Sequence, residues 1–240
     1  MPETSPTVIL VHGAFADAAS WTPVTELLVS AGVPVRAIVN PLRGLAADAA
    51  YVAGAINQVD GPVLAVGHSY GGAVITNACV STPNVKGLVY VAAFAPDEGE
   101  KLIDLVGGSK DSVLTSAIQQ TQYPSGPDGE TAPEVVIDVT RFRDVFTADL
   151  PQAQSDVLAR SQRPIAESTF GETTGHPAWK DLPSWAAVGT ADKAIGADQV
   201  TMMAERAGAT ITEIDASHVV MISQPESVTE VILAAHKAVS

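Results

Sequence analysis

Cysteine is almost missing from this 240-residue chain. Cys79 stands alone, so no internal disulfide can form, and a packed small hydrophobe is its expected role. Basic residues are also scarce, 13 Lys and Arg against 27 Asp and Glu. The resulting net charge of −14 argues against nucleic acid or an anionic membrane as partner. No apolar run approaches the roughly 18 residues that span a bilayer. Met1 to Pro6 is short and polar, without the basic start and apolar centre of a signal peptide, so a cytoplasmic location is expected. The histidines are scattered, with no His-x-x-x-His or cysteine pair to hold a metal, and no Gly-x-Gly-x-x-Gly opens a helix to hold a nucleotide. No cofactor is therefore expected. Repeats and low-complexity tracts are absent as well.

What is present is a core-forming composition, 46% hydrophobic, at a length that suits one domain. Apolar, β-branched runs at Thr7–Val11, Val33–Val39, Pro62–Val66, Val85–Ala92, Pro183–Gly189 and Thr210–Ile214 read as strands. Helical stripes lie between them: Trp21, Val24, Leu27, Leu28 and Ala31 in one, Tyr51, Val52, Ala55, Ile56 and Val59 in the next. Ser20 is placed to cap the first of these helices and Gly32 to end it. Asp198–Ala207 reads as a later helix. Ser223 and Glu226 form a capping-box pattern before the last one, with Pro225 in its first turn. Strands alternating with helices at this spacing predict βαβ units, a mostly parallel sheet and helices on both faces. The rhythm breaks from Phe94 to about Lys180, where Gly, Pro, Ser, Gln and Asp are frequent. A loop that long needs structure of its own, so residues 97–180 are expected to form a cap of short helices on a core of 1–96 and 181–240.

The chemistry concentrates at Val66-Gly67-His68-Ser69-Tyr70-Gly71-Gly72, between a strand and a helix. This G-x-S-x-G pattern is a nucleophile elbow: a strained turn with Ser69 at its tip and the N-terminus of the next helix aimed at it. Ser69 needs a base, since a hydroxyl is barely ionised at neutral pH. Of the five histidines, His12 and His68 sit inside turns, His176 lies in the insertion and His236 is near the end of the last helix. His218 follows a strand, at the carboxyl edge where open α/β sheets place their sites, and is the expected base. A carboxylate should fix its tautomer. Asp192 ends the preceding strand at the same edge and ranks first, ahead of Asp198 and Asp215. The order Ser69, Asp192, His218 is the one this elbow predicts. An oxyanion would be held by the backbone N–H of Tyr70 and by one from the turn His12-Gly13-Ala14-Phe15, with Phe15 preferred over Ala14.

Across nearly its whole length the chain resembles the α/β-hydrolase family. His12-Gly13-Ala14-Phe15 with Ala19-Ser20-Trp21, the elbow, Val91–Gly99, Trp185–Ile195 and Ser217-His218 look like small bacterial serine hydrolases similar to the plant methylesterase and hydroxynitrile lyase branch. That resemblance implies an α/β-hydrolase fold with a helical cap and a serine carboxylesterase acting on a small-molecule ester, with a homodimer left open. The lyases of the branch carry a lysine where this chain has Val219 and a threonine where it has Ala14, which argues against lyase activity. Ser69 excludes the aspartate-nucleophile chemistry of related epoxide hydrolases and dehalogenases. The same three side chains could also cleave C–C bonds, lactones, amides or thioesters, or act as a perhydrolase, and a non-catalytic ligand receptor is the remaining alternative.

Overall fold

The computed structural model describes residues 5–240; Met1–Thr4 of the polar N-terminal stretch lie outside the described residues. The apolar runs form β1 (Thr7–Val11), β2 (Val35–Ile38), β3 (Val63–His68) and β4 (Val85–Val91), joined by α1 (Thr22–Ser30), α2 (Leu45–Ile56) and α3 (Tyr70–Ala78). After β4 the chain departs through α4 (Leu102–Gly108), β5 (Ile118–Pro124), β6 (Thr131–Ile137), α5 (Phe142–Phe146), α6 (Gln152–Ser161) and β7 (Ile165–Ala166). It returns as β8 (Ser184–Gly189), α7 (Ala197–Arg206), β9 (Thr210–Ile214), α8 (Val220–Ser223) and α9 (Pro225–Ala238).

Six strands pair in the order β2-β1-β3-β4-β8-β9, every pairing parallel. Such a sheet is buried on both faces, which is why its central strands read as unbroken apolar runs: Val8–Val11 and Val63–Val66 are fully buried. Right-handed crossovers place α1 and α9 together on one face and α2, α3 and α7 on the other. The chain leaves β1 towards β2 but leaves the adjacent β3 towards β4. This reversal opens a crevice beyond their carboxyl ends.

The stretch between β4 and β8 holds the expected short helices but also an antiparallel sheet, β5-β6-β7, that alternation did not announce. Ile118-Gln-Gln-Thr-Gln-Tyr-Pro shows little apolar patterning because most of β5 faces water. Its ends are tied down side by side. Lys180 pairs with Asp97 at 2.5 Å, and Trp179 Nε1–H donates to the Pro96 carbonyl at 3.0 Å. Two expected caps are replaced by others. Asp17, not Ser20, caps the turn before α1, accepting the Ala19 N–H at 2.8 Å, while the Ser20 hydroxyl donates to the Asp17 carbonyl. Ser223 closes α8 and so has helical backbone, which removes it from the extended conformation a capping box needs; Gln224 takes the N-cap of α9.

Candidate functional site

Ser69 sits between β3 and α3 with φ 53° and ψ −124°, a backbone conformation that a residue with a side chain adopts only under strain. Close packing enforces it. A Cβ on Gly67 would lie 2.5 Å from the Gly71 carbonyl oxygen, and a Cβ on Gly71 would run into the carbonyl of Val11. The turn after β1 presses on the serine itself: a Cβ on Gly13 would come within 2.6 Å of Ser69 Cβ. The two turns at the sheet's switch point are thus in van der Waals contact. Tyr70 opens α3, so its backbone N–H has no intrahelical partner. Phe15, on the facing turn, also has positive φ, 61°, and both it and Ala14 are buried.

His12 explains how that facing turn keeps its shape. Its Nδ1–H donates to the Gly13 carbonyl at 2.8 Å, and its Nε2 accepts the Asn40 N–H at 2.9 Å, which fixes the tautomer. The imidazole ties the loop after β2 to the turn after β1. It is occupied on both nitrogens and is not available as a base.

His218 and Asp192 come together beyond β8 and β9. Asp192 Oδ2 accepts from His218 Nδ1 at 2.7 Å, and neither side chain touches solvent. The other carboxylate oxygen accepts the N–H groups of Ala194 and Ile195, at 2.8 and 3.1 Å. Both carboxylate oxygens are therefore committed, and the proton on Nδ1 is dictated. Nε2 of His218 is buried and finds no hydrogen-bond partner among the described residues, which leaves its lone pair free. The two lower-ranked carboxylates are elsewhere. Asp198 accepts from Ser109 Oγ and the Lys110 N–H, and Asp215 lies on the exposed side of the loop after β9.

Strand β4 separates β3 from β8, so the His218 loop has to reach back over it. His68, next to Ser69, donates its Nε2–H to the His218 carbonyl at 3.0 Å, and the two rings stand 4.9 Å apart. From the insertion, Phe146 packs on the His218 ring at 4.8 Å. Asp149 accepts the Ser217 N–H at 3.0 Å and the Ser217 hydroxyl on its second oxygen. Burial opposes charge on Asp149, but the hydrogen bonds the carboxylate accepts, those from Ser217 foremost, together outweigh it and hold the carboxyl below its usual range. Sequence reasoning missed His68, Phe146 and Asp149 in these roles. The elbow motif contains His68 only as a variable position and no motif marks the other two, since each acts through a neighbour distant in sequence. The remaining histidines are peripheral: His176 pairs with Asp181 at the surface, and His236 bonds the Pro6 carbonyl.

Burial pushes His12 down to about 4, against the smaller raising effect of its bond to Gly13, and pushes His68 well below the ordinary histidine value with the nearby His218 adding to it. Both are neutral in the fold. Below pH 6.5 the unfolded chain binds these protons and the folded chain does not, so stability falls as pH drops from about 6.5 towards 4. Asp48, raised by burial, binds its proton more tightly when folded and offsets part of the loss. His12 alone accounts for about 3 kcal/mol over that window. Thermal unfolding should therefore show Tm level from pH 8 to 7 and dropping by several degrees between pH 6.5 and 4.5. A Tm that holds or rises there would contradict neutral, buried imidazoles.

The alpha/beta hydrolase family model matches residues 8–231. No curated protein sequence matches the chain. Among solved structures, polyneuridine aldehyde esterase superposes with a TM-score of 0.82 at 19% identity, covering 97% of this chain and 99% of its own. A methylesterase from Arabidopsis gives 0.78 at 20% identity, covering 97% and 99%. A pyrethroid hydrolase from Sphingobium faniae gives 0.77 at 22% identity, covering 98% of both chains. At these identities the likeness is one of fold. Among the described residues no helix is long and apolar enough to cross a membrane, and no three His, Cys, Asp or Glu side chains cluster as a metal site. With a family model matched over more than nine-tenths of its length, the chain belongs to the alpha/beta hydrolase family.

Proposed function

We propose that this hydrolase is a serine carboxylesterase working through an acyl-enzyme on Ser69. One juxtaposition carries the reading: a strained serine at a helix N-terminus follows His68, which bonds the His218 carbonyl, and so lies near a buried His218–Asp192 pair whose Nε2 has no partner among the described residues. Ser69 Oγ attacks the ester carbonyl carbon while His218 Nε2 takes the hydroxyl proton. Asp192 stabilises the imidazolium through Nδ1–H. The carbonyl oxygen, now negative, is held by the Tyr70 N–H and by the Phe15 N–H, with Ala14 the second choice on that turn. Collapse of the tetrahedral intermediate breaks the C–O bond, and His218 returns the proton to the leaving alcohol. Water, deprotonated by His218, then attacks the acyl carbon and releases the acid and free Ser69.

Residues 97–180 act in this proposal as a cap that shapes the substrate space. A cleft of about 320 Å³ runs beside the site between Phe15, Phe142, Phe146, Leu158, Val219 and Ile222. Among the described residues that line it, Asp17 is the one charged group. Such a lining suits an uncharged, largely apolar ester group and disfavours a carboxylate. The names of the structural neighbours, which include two esterases and a pyrethroid hydrolase, support ester cleavage as the reaction. A small-molecule substrate and a cytoplasmic setting belong to the same proposal; the single buried Cys79 needs no oxidising compartment.

Intact-mass analysis after treatment with a fluorophosphonate tests the reading, alongside a panel of short esters. One adduct on the wild type, none on Ser69→Ala, and faster turnover of neutral than of carboxylate-bearing esters is the expected result. A wild type that takes no adduct and cleaves no ester would overturn it.

A further inference from the structure

Tyr70 contributes its backbone N–H to the proposed oxyanion site, but its side chain is also engaged, in a way the mechanism does not use. The phenol O–H donates to Asp48 Oδ2 at 2.7 Å. Asp48 lies in the first turn of α2, and both side chains are buried, with Asp48 fully removed from solvent. The carboxylate also accepts the Arg43 N–H, at 3.1 and 3.2 Å to its two oxygens. The start of α2 is held in turn by Glu172 from the insertion, whose carboxylate accepts the Ala46 N–H at 3.0 Å. Burial raises both groups, Asp48 above the ordinary carboxylate value and the Tyr70 phenol well above its own, so the tyrosine is a neutral donor.

A simpler packing is available. Phenylalanine at this position would fill nearly the same space and would leave no hydroxyl in need of a partner. A buried carboxylate is costly, and replacing buried polar pairs by apolar side chains is often neutral or stabilising. What the pair provides is direction. The Tyr70 Cα carries both the N–H that faces the reacting oxygen and the ring that Asp48 holds, so fixing the hydroxyl limits rotation of the first residue of α3. An oxyanion donor acts only when aimed at the place where charge develops, and small misplacements are expensive.

We propose that Asp48 is a positioning residue which, by holding the Tyr70 hydroxyl, fixes the aim of the Tyr70 N–H at the transition-state oxyanion. The proposal rests on the acyl-transfer reading above. Nothing in the sequence marks Asp48, which reads as an ordinary acidic residue in the first turn of a helix.

The test compares wild type, Tyr70→Phe and the double variant Asp48→Asn/Tyr70→Phe. The double variant carries no unpaired buried charge and keeps an acceptor for the Arg43 N–H, so it covers the case in which Tyr70→Phe alone does not fold. The readouts are kcat and KM on a neutral ester, the rate of inactivation by a fluorophosphonate, and Tm. In the folded variants kcat should fall about tenfold, a fraction of the loss from deleting an oxyanion donor outright. The inactivation rate should fall in parallel, with KM within about twofold of wild type. A purely structural role would move Tm and leave kcat and labelling of the folded protein unchanged. Both rates within twofold of wild type in either folded variant would overturn the proposal. A wild type that neither labels nor turns over would instead overturn the acyl-transfer reading, and this proposal with it.

Discussion

Ser69→Ala should lower kcat on neutral short-chain esters by a factor on the order of 10⁵ while leaving the protein folded. The size follows from the unit Ser69 belongs to in the proposed mechanism. Removing the nucleophile of such a set costs about as much as removing all its members, because the others cannot act without it. The residual rate comes from binding and from the oxyanion donors, which the substitution does not touch. The fold should tolerate the change for a local reason. The strained φ of 53° at this position is imposed by the packing of Gly67, Gly71 and Gly13 around the turn, not by the hydroxyl, and alanine has the same Cβ as serine. Tm should move by no more than a few degrees. Steady-state kinetics with a thermal melt on the same preparation decides the matter. A folded Ser69→Ala protein that keeps even one-hundredth of the wild-type kcat would mean that another group attacks the substrate.

Asp192→Asn should cost kcat about 10⁴-fold with the loop intact, and the hydrogen bonds show why. In the wild type one carboxylate oxygen accepts the N–H groups of Ala194 and Ile195, and the other accepts His218 Nδ1–H. An asparagine can satisfy the two backbone donors only by giving them its carbonyl oxygen. Its NH₂ then points at His218 Nδ1, which has to become an acceptor. The imidazole proton moves to Nε2, and the atom that should take the serine proton already carries one. Asp192→Ala should show a similar kinetic loss but a larger fall in Tm, because it also strips the partners from the two backbone N–H groups. A folded Asp192→Asn protein within tenfold of wild-type kcat would remove Asp192 from the mechanism.

The insertion between β4 and β8 is held to the His218 loop, the stretch after Asp192, the start of α2 and the turn after β1. Asp149 binds Ser217 beside His218, Phe146 packs on the imidazole, and Ser109 and Lys110 hold Asp198 in the stretch that follows Asp192. Glu172 holds the start of α2, and with it Asp48. Phe15 and Phe146 meet edge to face at 6.1 Å, which joins the insertion to the turn after β1. Changes within residues 97–180 are therefore expected to act on the His218 loop and the turn after β1 as well as on the shape of the cleft.

How much of this the residues announced depends on how local each signal is. The six core strands and the elbow are legible because they obey short-range rules: a strand buried on both faces must be continuously apolar, and a strand-to-helix turn this tight admits little but glycine on either side of Ser69. His218 and Asp192 could be singled out because each follows a strand, and the carboxyl edge of an open α/β sheet is one place in space. Their 2.7 Å contact and the Nε2 left without a partner among the described residues are products of the tertiary structure, which brings the loops after β8 and β9 together and turns the other Asp192 oxygen to the N–H groups of Ala194 and Ile195. The β5-β6-β7 sheet, the Asp149 clamp, His68 under the His218 carbonyl and the Asp48–Tyr70 bond left no trace in the pattern. Each joins side chains from separate elements through single polar contacts. Hydrophobic periodicity records which face of an element is buried, whereas a lone hydrogen bond between distant residues has no period and is decided only when the elements pack.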